Sequence, residues 1–282
     1  MRERERERER INFSFKKKIY FLLRHIITII IKLLRNKRFI SISLPFFTNQ
    51  IFYDRINKKI VKFKIRDKID YETASQIFIN EDYNLKKFTR FEEINNYQES
   101  LVKKNLKPFI IDCGGHIGLA SKYFSIIYPH SKIILIEPEI ENFNNAIKNN
   151  LNNANIEFLN VAIGSENTKC EVFDPGLGSW GYRTIKNNNG DLNIISVNQI
   201  LREYKKENEI PFIIKIDIEG FENELFSKNI EWIDIFPIII IELHDWMLPK
   251  TSNSMNFLSS ISNKNRDFLY AGENIFSIKN DK

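Results

Sequence analysis

Five short, continuous apolar runs between Lys107 and Leu243 constrain this chain more than any other feature. They read PFIIDC, KIILIEP, IEFLNVAI, PFIIKID and PIIIIEL. Runs this short, rich in Ile and Phe and lacking polar alternation, are the pattern of strands buried on both faces of a parallel sheet. Between them the pattern predicts helices over Leu119–Tyr128, Glu139–Leu151 and Glu222–Lys228. Alternating strands and helices require crossover connections, and the expected fold class is α/β: a Rossmann-like, doubly wound, mostly parallel sheet. Ligands of such sheets bind beyond the carboxyl ends of the strands, where strand order reverses.

The 282 residues accommodate one domain of this kind plus an appendage. Charge is divided unevenly along the chain. Residues 1–66 carry a balance of +14 and residues 67–282 one of −8. The basic character therefore belongs to the N-terminal segment, and no nucleic-acid-binding core is expected. With only Cys113 and Cys170 there is no disulfide framework, which fits a reducing, cytoplasmic setting.

Residues 1–10, MRERERERER, form a low-complexity charged tail that brings nothing to a core. Residues 11–40 read as a basic amphipathic helix, giving the α/β domain a helical N-terminal appendage. Its apolar stretch Ile19–Leu34 is interrupted by Arg24, His25 and Lys32, and is shorter than the roughly 18 apolar residues of a membrane span. Arg24, Thr28, Lys32 and Arg35 recur at helical spacing along one face. Three readings stay open: a helix packed on the domain or a second subunit, a peripheral membrane contact on the cytoplasmic face, or an inserted anchor. No small-residue cleavage site follows the stretch. Residues 41–100 read as an accessory region of a few strands followed by helices around Tyr83–Lys104, and residues 101–282 as the Rossmann-like domain.

The chemistry concentrates in FIIDCGGHIG, residues 109–118: a buried strand, an acid at its end, a glycine turn and a helix start. Gly114 and Gly115 let the backbone turn tightly and approach a ligand, and Gly118 lets the next helix pack close to the strand. A dinucleotide loop needs glycine where Cys113 stands, so the DxGxxxG spacing fits a methyltransferase loop better. Glu137 closes the next strand 25 residues after Asp112. An acid there can accept both hydroxyl hydrogens of a ribose; the alternative is an exposed strand-end carboxylate.

Taken together, four blocks resemble the FkbM-type methyltransferases. They are IIDCGGHIG; IEPEIENF with the downstream pair Asn149 and Asn150; NVAIGS at 160–165; and IIKIDIEGFENELF at 213–226. KIDIEGFE is similar to that family's KxDxEGxE block, and PIIIIELH at 237–244 to the strand that follows it. The resemblance spans about residues 105–245. It implies a class I methyltransferase fold, S-adenosylmethionine as donor, and methyl transfer to a hydroxyl of a sugar, glycan precursor or natural product. Carried onto this sequence, the cofactor-binding positions it implies are Asp112, Gly114, Gly115, Gly118, Glu137, Asn142 and Ala162. Where the family commonly has a small residue and then Asn, this chain has Gly115 and His116. His116 then either donates to the cofactor carboxylate or caps the helix, and the loop works mostly through backbone N–H groups.

Methyl transfer is an in-line displacement, so the acceptor oxygen must be aligned and relieved of its proton. Asp217 closes the fourth strand and is the expected catalytic residue, as general base, hydrogen-bond partner of the acceptor, or ligand of a divalent cation such as Mg or Mn. Glu219 and His244 complete the expected catalytic group and are candidate metal ligands with it. The plainer reading pairs Lys215 with one carboxylate and leaves Glu222 as a favourable charge in the first turn of a helix. GLGSWGYR at 176–183, with Trp180 and Arg183, reads either as a lid over a sugar or as an ordinary surface loop. The expected partner is a small-molecule or carbohydrate acceptor. Two other functions compete: a nicotinamide-dependent oxidoreductase, opposed by Cys113 and KIDIEGFE, and a noncatalytic membrane-associated scaffold, opposed by the intact acids. The acceptor and the oligomeric state are not encoded legibly.

Overall fold

The computed structural model describes residues 37–43, 48–176, 178–179 and 181–280. The expectations for the charged tail and for residues 11–36 of the basic helix lie outside these residues. The helix expected to reach residue 40 does not do so, because Phe39–Ser41 is a strand, β1. Phe39 and Ile40 pair with Asp54 and Tyr53, a strand role that suits aromatic and β-branched side chains. Among the described residues no helix is long and apolar enough to cross a membrane.

The chain divides into two compact units, Met1–Asp67 and Lys68–Lys282. In the first, β1, β2 (Asn49–Asp54) and β3 (Lys59–Lys64) form an antiparallel meander. The Arg38 guanidinium grips the buried Asp54 carboxylate with two 3.0 Å hydrogen bonds, and that carboxylate also accepts from the N–H groups of Ile56 and Asn57 in the β2–β3 turn.

The second unit begins at Lys68, well before the boundary expected at residue 101. The cause is aromatic packing: Phe78 and Tyr83 meet Tyr123, and Tyr83 meets Phe124, at ring distances of 5.4 to 6.3 Å. The segment that carries Phe78 and Tyr83 thus belongs to the same core. It comprises α1 (Lys68–Ala74), a π-helical turn at Ser75–Asn80, and α2 (Phe91–Lys103).

The framework is a seven-stranded sheet. Its strands are β4 (Lys107–Cys113), β5 (Lys132–Ile136), β6 (Ile156–Leu159), β11 (Glu209–Ile216), β12 (Ile238–Glu242), β13 (Arg266–Ala271) and β14 (Asn274–Lys279). Their order is β13-β14-β12-β11-β4-β5-β6, with β6 through β12 parallel and β14 antiparallel to both its neighbours. This is the α/β class expected from the apolar runs. The connections carry α3 (Leu119–Ile127), α4 (Ile140–Asn150), α5 (Val197–Glu203), α6 (Glu222–Leu225) and α7 (Met255–Ile261). Period-2 alternation sends Phe109, Ile111 and Cys113 into a core shared with Ile200, Trp232 and Phe257.

Two expected elements differ. The run IEFLNVAI is not one strand: it breaks at Asn160, whose side chain donates to the carbonyls of Glu137 and Pro138 at 2.9 and 3.0 Å. Beyond the break, β7 (Ala162–Gly164) joins a smaller sheet with β8 (Thr168–Phe173), β9 (Arg183–Lys186) and β10 (Leu192–Ser196), in the order β7-β10-β8-β9. The helix expected over Glu222–Lys228 is a single turn.

Candidate active site

Chain order reverses between β5 and β11 on either side of β4, and a cleft opens beyond these strand ends. Gly114, Gly115, Glu137, Asn142 and Ala162 line one part of it, with Ile136 and Ile163 as apolar walls. Asp217, Glu219, Glu242 and Tyr83 line another part.

The loop after β4 is tied to the tip of β5. The N–H groups of Gly114 and Gly115 donate to the Ile136 carbonyl at 3.0 and 2.9 Å, and that of His116 donates to Glu137 Oε2 at 2.8 Å. These three donors hold the loop against its neighbouring strand. Gly114 has φ +78°, and a Cβ there would stand 1.7 Å from the Asp217 carbonyl oxygen. Only glycine lets the two strand tips come this close.

Two of the expected cofactor residues stand elsewhere. Asp112 is fully buried and does not face the cleft; it accepts from Ser121 Oγ at 2.6 Å and pairs with Lys215 Nζ at 3.2 Å. The parallel register puts Lys215 directly beside Asp112, so the pair follows from strand alignment. Gly118 also stays out of the cleft. A Cβ on it would lie 2.5 Å from Asn150 Nδ2 and 3.0 Å from the Ala146 Cα, so its role is the close approach of α3 to α4. Asn149 and Asn150 complete that junction by donating to the carbonyls of Ile117 and Gly118 at 3.0 Å. His116 neither caps α3, whose N-cap is Gly118, nor lies loose: its ring Nε2 stands 3.4 Å from the buried Asp70.

Glu137 is 5% exposed and accepts from the N–H groups of His116 and Glu139 and, at 3.4 Å, from Asn142 Nδ2. Burial pushes its carboxyl up to about 7, against the opposing pull of these donors. The exposed strand-end alternative does not apply to it. Asn142 also donates to the Ser179 carbonyl at 2.9 Å, which ties the loop between β8 and β9 to the cleft; its buried Oδ1 accepts no hydrogen bond.

The three expected catalytic residues converge. His244 is fully buried, and its Nε2 lies 3.6 Å from Asp217, 3.5 Å from Glu219 and 3.7 Å from Glu242. Lys215 Nζ stands 3.3 Å from Asp217, donates to the Gly114 carbonyl at 2.7 Å, and so links β11 to the loop. Burial opposes ionisation of Asp217, but Lys215 and His244 hold its carboxyl below the usual value. Burial and the neighbouring Asp217 charge push Glu219 up to about 9 and Glu242 up to about 8. For His244 burial disfavours the imidazolium, and the Glu222 hydrogen bond with the surrounding carboxylates overrides it, raising the group to about 10. Glu219 reaches the cluster from a left-handed backbone, φ +53°, a strained conformation typical of functional turns.

Glu222 is more than a first-turn charge. It is fully buried, bonds His244 Nδ1 at 2.8 Å and accepts from Asn253 Nδ2. Glu242 was passed over, although a strand-end acid after PIIII is the same signal that marked Asp217. Tyr83, Gln76 and Glu273 also line the cleft and had no sequence signal, since they come from a turn and a hairpin far along the chain.

Residues 112–270, more than half of the chain, match the Methyltransferase FkbM domain. No curated protein sequence matches. Among solved structures the chain is similar to monomeric WbdD, with 11% identity and a TM-score of 0.38, covering 68% of this chain and 41% of that one. The chain thus spans about two fifths of the length of WbdD. It is also similar to the plantazolicin methyltransferase BpumL in complex with SAH, with 12% identity and a TM-score of 0.31, covering 72% and 74%. On the match over residues 112–270, the chain belongs to the FkbM methyltransferase domain family.

Proposed function

We propose that this protein is an S-adenosylmethionine-dependent O-methyltransferase whose acceptor is a hydroxyl of a sugar, glycan precursor or natural product. The observation that carries the reading is the placement of the Asp217 carboxyl group in the same cleft as Glu137, Asn142 and the glycine loop. The residues present fit the donor. Glu137 has acceptor capacity left for ribose hydroxyls, the buried Asn142 Oδ1 lacks a donor, and Ile136, Ala162 and Ile163 supply an apolar wall for a base.

Bound there, the donor supplies an electrophilic methyl group on sulfonium. Asp217 would align the acceptor hydroxyl and take its proton as the oxygen receives that methyl group. Lys215 keeps that carboxylate charged and in place, since its ammonium group reaches Asp112, Asp217 and the Gly114 carbonyl. A sugar acceptor is supported by Trp246, 61% exposed, with its ring 6.5 Å from that of His244. Exposed aromatic faces beside a reacting centre suit the apolar side of a pyranose.

Asp217→Asn tests the assignment, because the amide keeps the shape and cannot accept the proton. The variant is expected to bind S-adenosylhomocysteine as the parent does and to lose 100-fold or more, an order-of-magnitude expectation, in transfer of labelled methyl to a sugar and alcohol panel. Near-parental turnover on an acceptor that the parent methylates would refute the role of Asp217.

A further inference from the structure

A buried histidine with one ring nitrogen fixed and the other facing three carboxylates without a hydrogen-bond partner is an unfinished constellation. His244 Nδ1 is held by Glu222, which is itself held by Asn253. Because Glu222 holds Nδ1, Nε2 is the ring nitrogen that faces the cluster and that a bound cation would occupy in place of its proton. That nitrogen has no hydrogen-bond partner, and neither does the buried Glu219 Oε2 beside it. The separations of 3.5 to 3.7 Å are too long for hydrogen bonds.

From this geometry we infer that Asp217, Glu242 and His244 form a binding site for a divalent cation of the Mn2+ type. One donor atom from each lies within 4.8 Å of the other two. Ligands bound at roughly 2.0 to 2.3 Å around one ion stand about 3 to 4.6 Å apart, so little movement is needed. The donor set argues the same way: the carboxyl groups of Asp217, Glu219, Glu222 and Glu242 surround one imidazole. Mixed imidazole and carboxylate donors suit Mn2+ better than Ca2+, which takes oxygen alone. The Glu222–His244 pair is the carboxylate support that orients a metal-bound histidine. This ligand set differs from the expected Asp217, Glu219 and His244, since Glu242 replaces Glu219, which stands beside the site. An ion here would sit next to the place of the acceptor oxygen and lower its pKa; only this consequence rests on the methyl-transfer reading.

The test is Mn2+ titration of the full chain, without donor or acceptor, followed by electron paramagnetic resonance of the free ion. One ion per chain is expected at micromolar Mn2+. Glu242→Gln and His244→Gln should each weaken binding at least tenfold, and Glu222→Gln about tenfold. S-adenosylhomocysteine affinity, measured by calorimetry on the same preparations, should be unchanged, which separates failure of the metal site from failure of the donor site. Pulsed resonance of the ion bound to the parent chain should show a directly bonded imidazole nitrogen, a readout that needs no variant to fold. No binding at millimolar Mn2+, no nitrogen coupling, or equal affinity in folded Glu242→Gln and His244→Gln would overturn the site.

Discussion

Glu137 allows the donor site to be tested by pH. Its carboxyl is buried and titrates near 7 instead of 4.5, so ionising it in the free protein costs about 3 kcal/mol relative to water. An acid raised on folding contributes stability below pH 4.5 and loses it as pH climbs through 7. A ribose reverses this locally, because its hydroxyls donate to the carboxylate and favour the ionised form. Donor binding should therefore release a proton below pH 7, and affinity should rise from pH 5.5 to 7.5, by at most about tenfold per pH unit, then level off. Glu137→Gln should lose about 2 kcal/mol of affinity at pH 8, roughly thirtyfold, since it loses charge-assisted bonds and turns an amide donor towards the N–H of His116 or Glu139. It should also flatten that part of the pH profile which Glu137 controls. Calorimetry with S-adenosylhomocysteine in two buffers of different ionisation enthalpy reads both affinity and proton release. Equal affinity and an unchanged profile in a folded Gln variant would remove Glu137 from the site.

The two glycines of the loop should separate by what they disturb. Gly114→Ala meets the Asp217 carbonyl and should cost more than 3 kcal/mol, an order-of-magnitude figure, and abolish donor binding in whatever remains folded, read by chemical denaturation and calorimetry. Gly118→Ala should cost about 2 kcal/mol through α3–α4 packing, with donor affinity kept in the folded fraction; a loss of affinity without a loss of stability would return Gly118 to the cleft. The +14 balance of residues 1–66 makes a separate prediction: the full chain should bind anionic vesicles at low salt and leave them as salt rises, whereas deletion of residues 1–36, which leaves β1 and Arg38 in place, should abolish binding. Co-sedimentation checks this, and a full chain that ignores acidic vesicles at low salt refutes it.

The strands, their parallel sense and the position of the cleft were legible in the sequence because burial on both faces leaves unbroken apolar runs. Acids at the ends of such runs mark where a ligand meets the sheet, and this is how Glu137 and Asp217 could be named. Strand-end position does not say which way a side chain points. Asp112 and Asp217 both sit at strand tips, yet the register of β4 against β11 turns Asp112 to Lys215 beneath the loop and leaves Asp217 lining the cleft. His244 and Glu222, 22 residues apart, meet at 2.8 Å only because α6 and the end of β12 fold against each other. Tyr83 and Glu273 reach one cleft from opposite ends of the domain. Local pattern therefore determined the elements and the kind of chemistry at their ends, since periodicity and strand-end position are properties of neighbouring residues. Pairing between distant residues decided which acids are buried, what each one touches and which proton it holds, because desolvation and charge act through space and not along the chain.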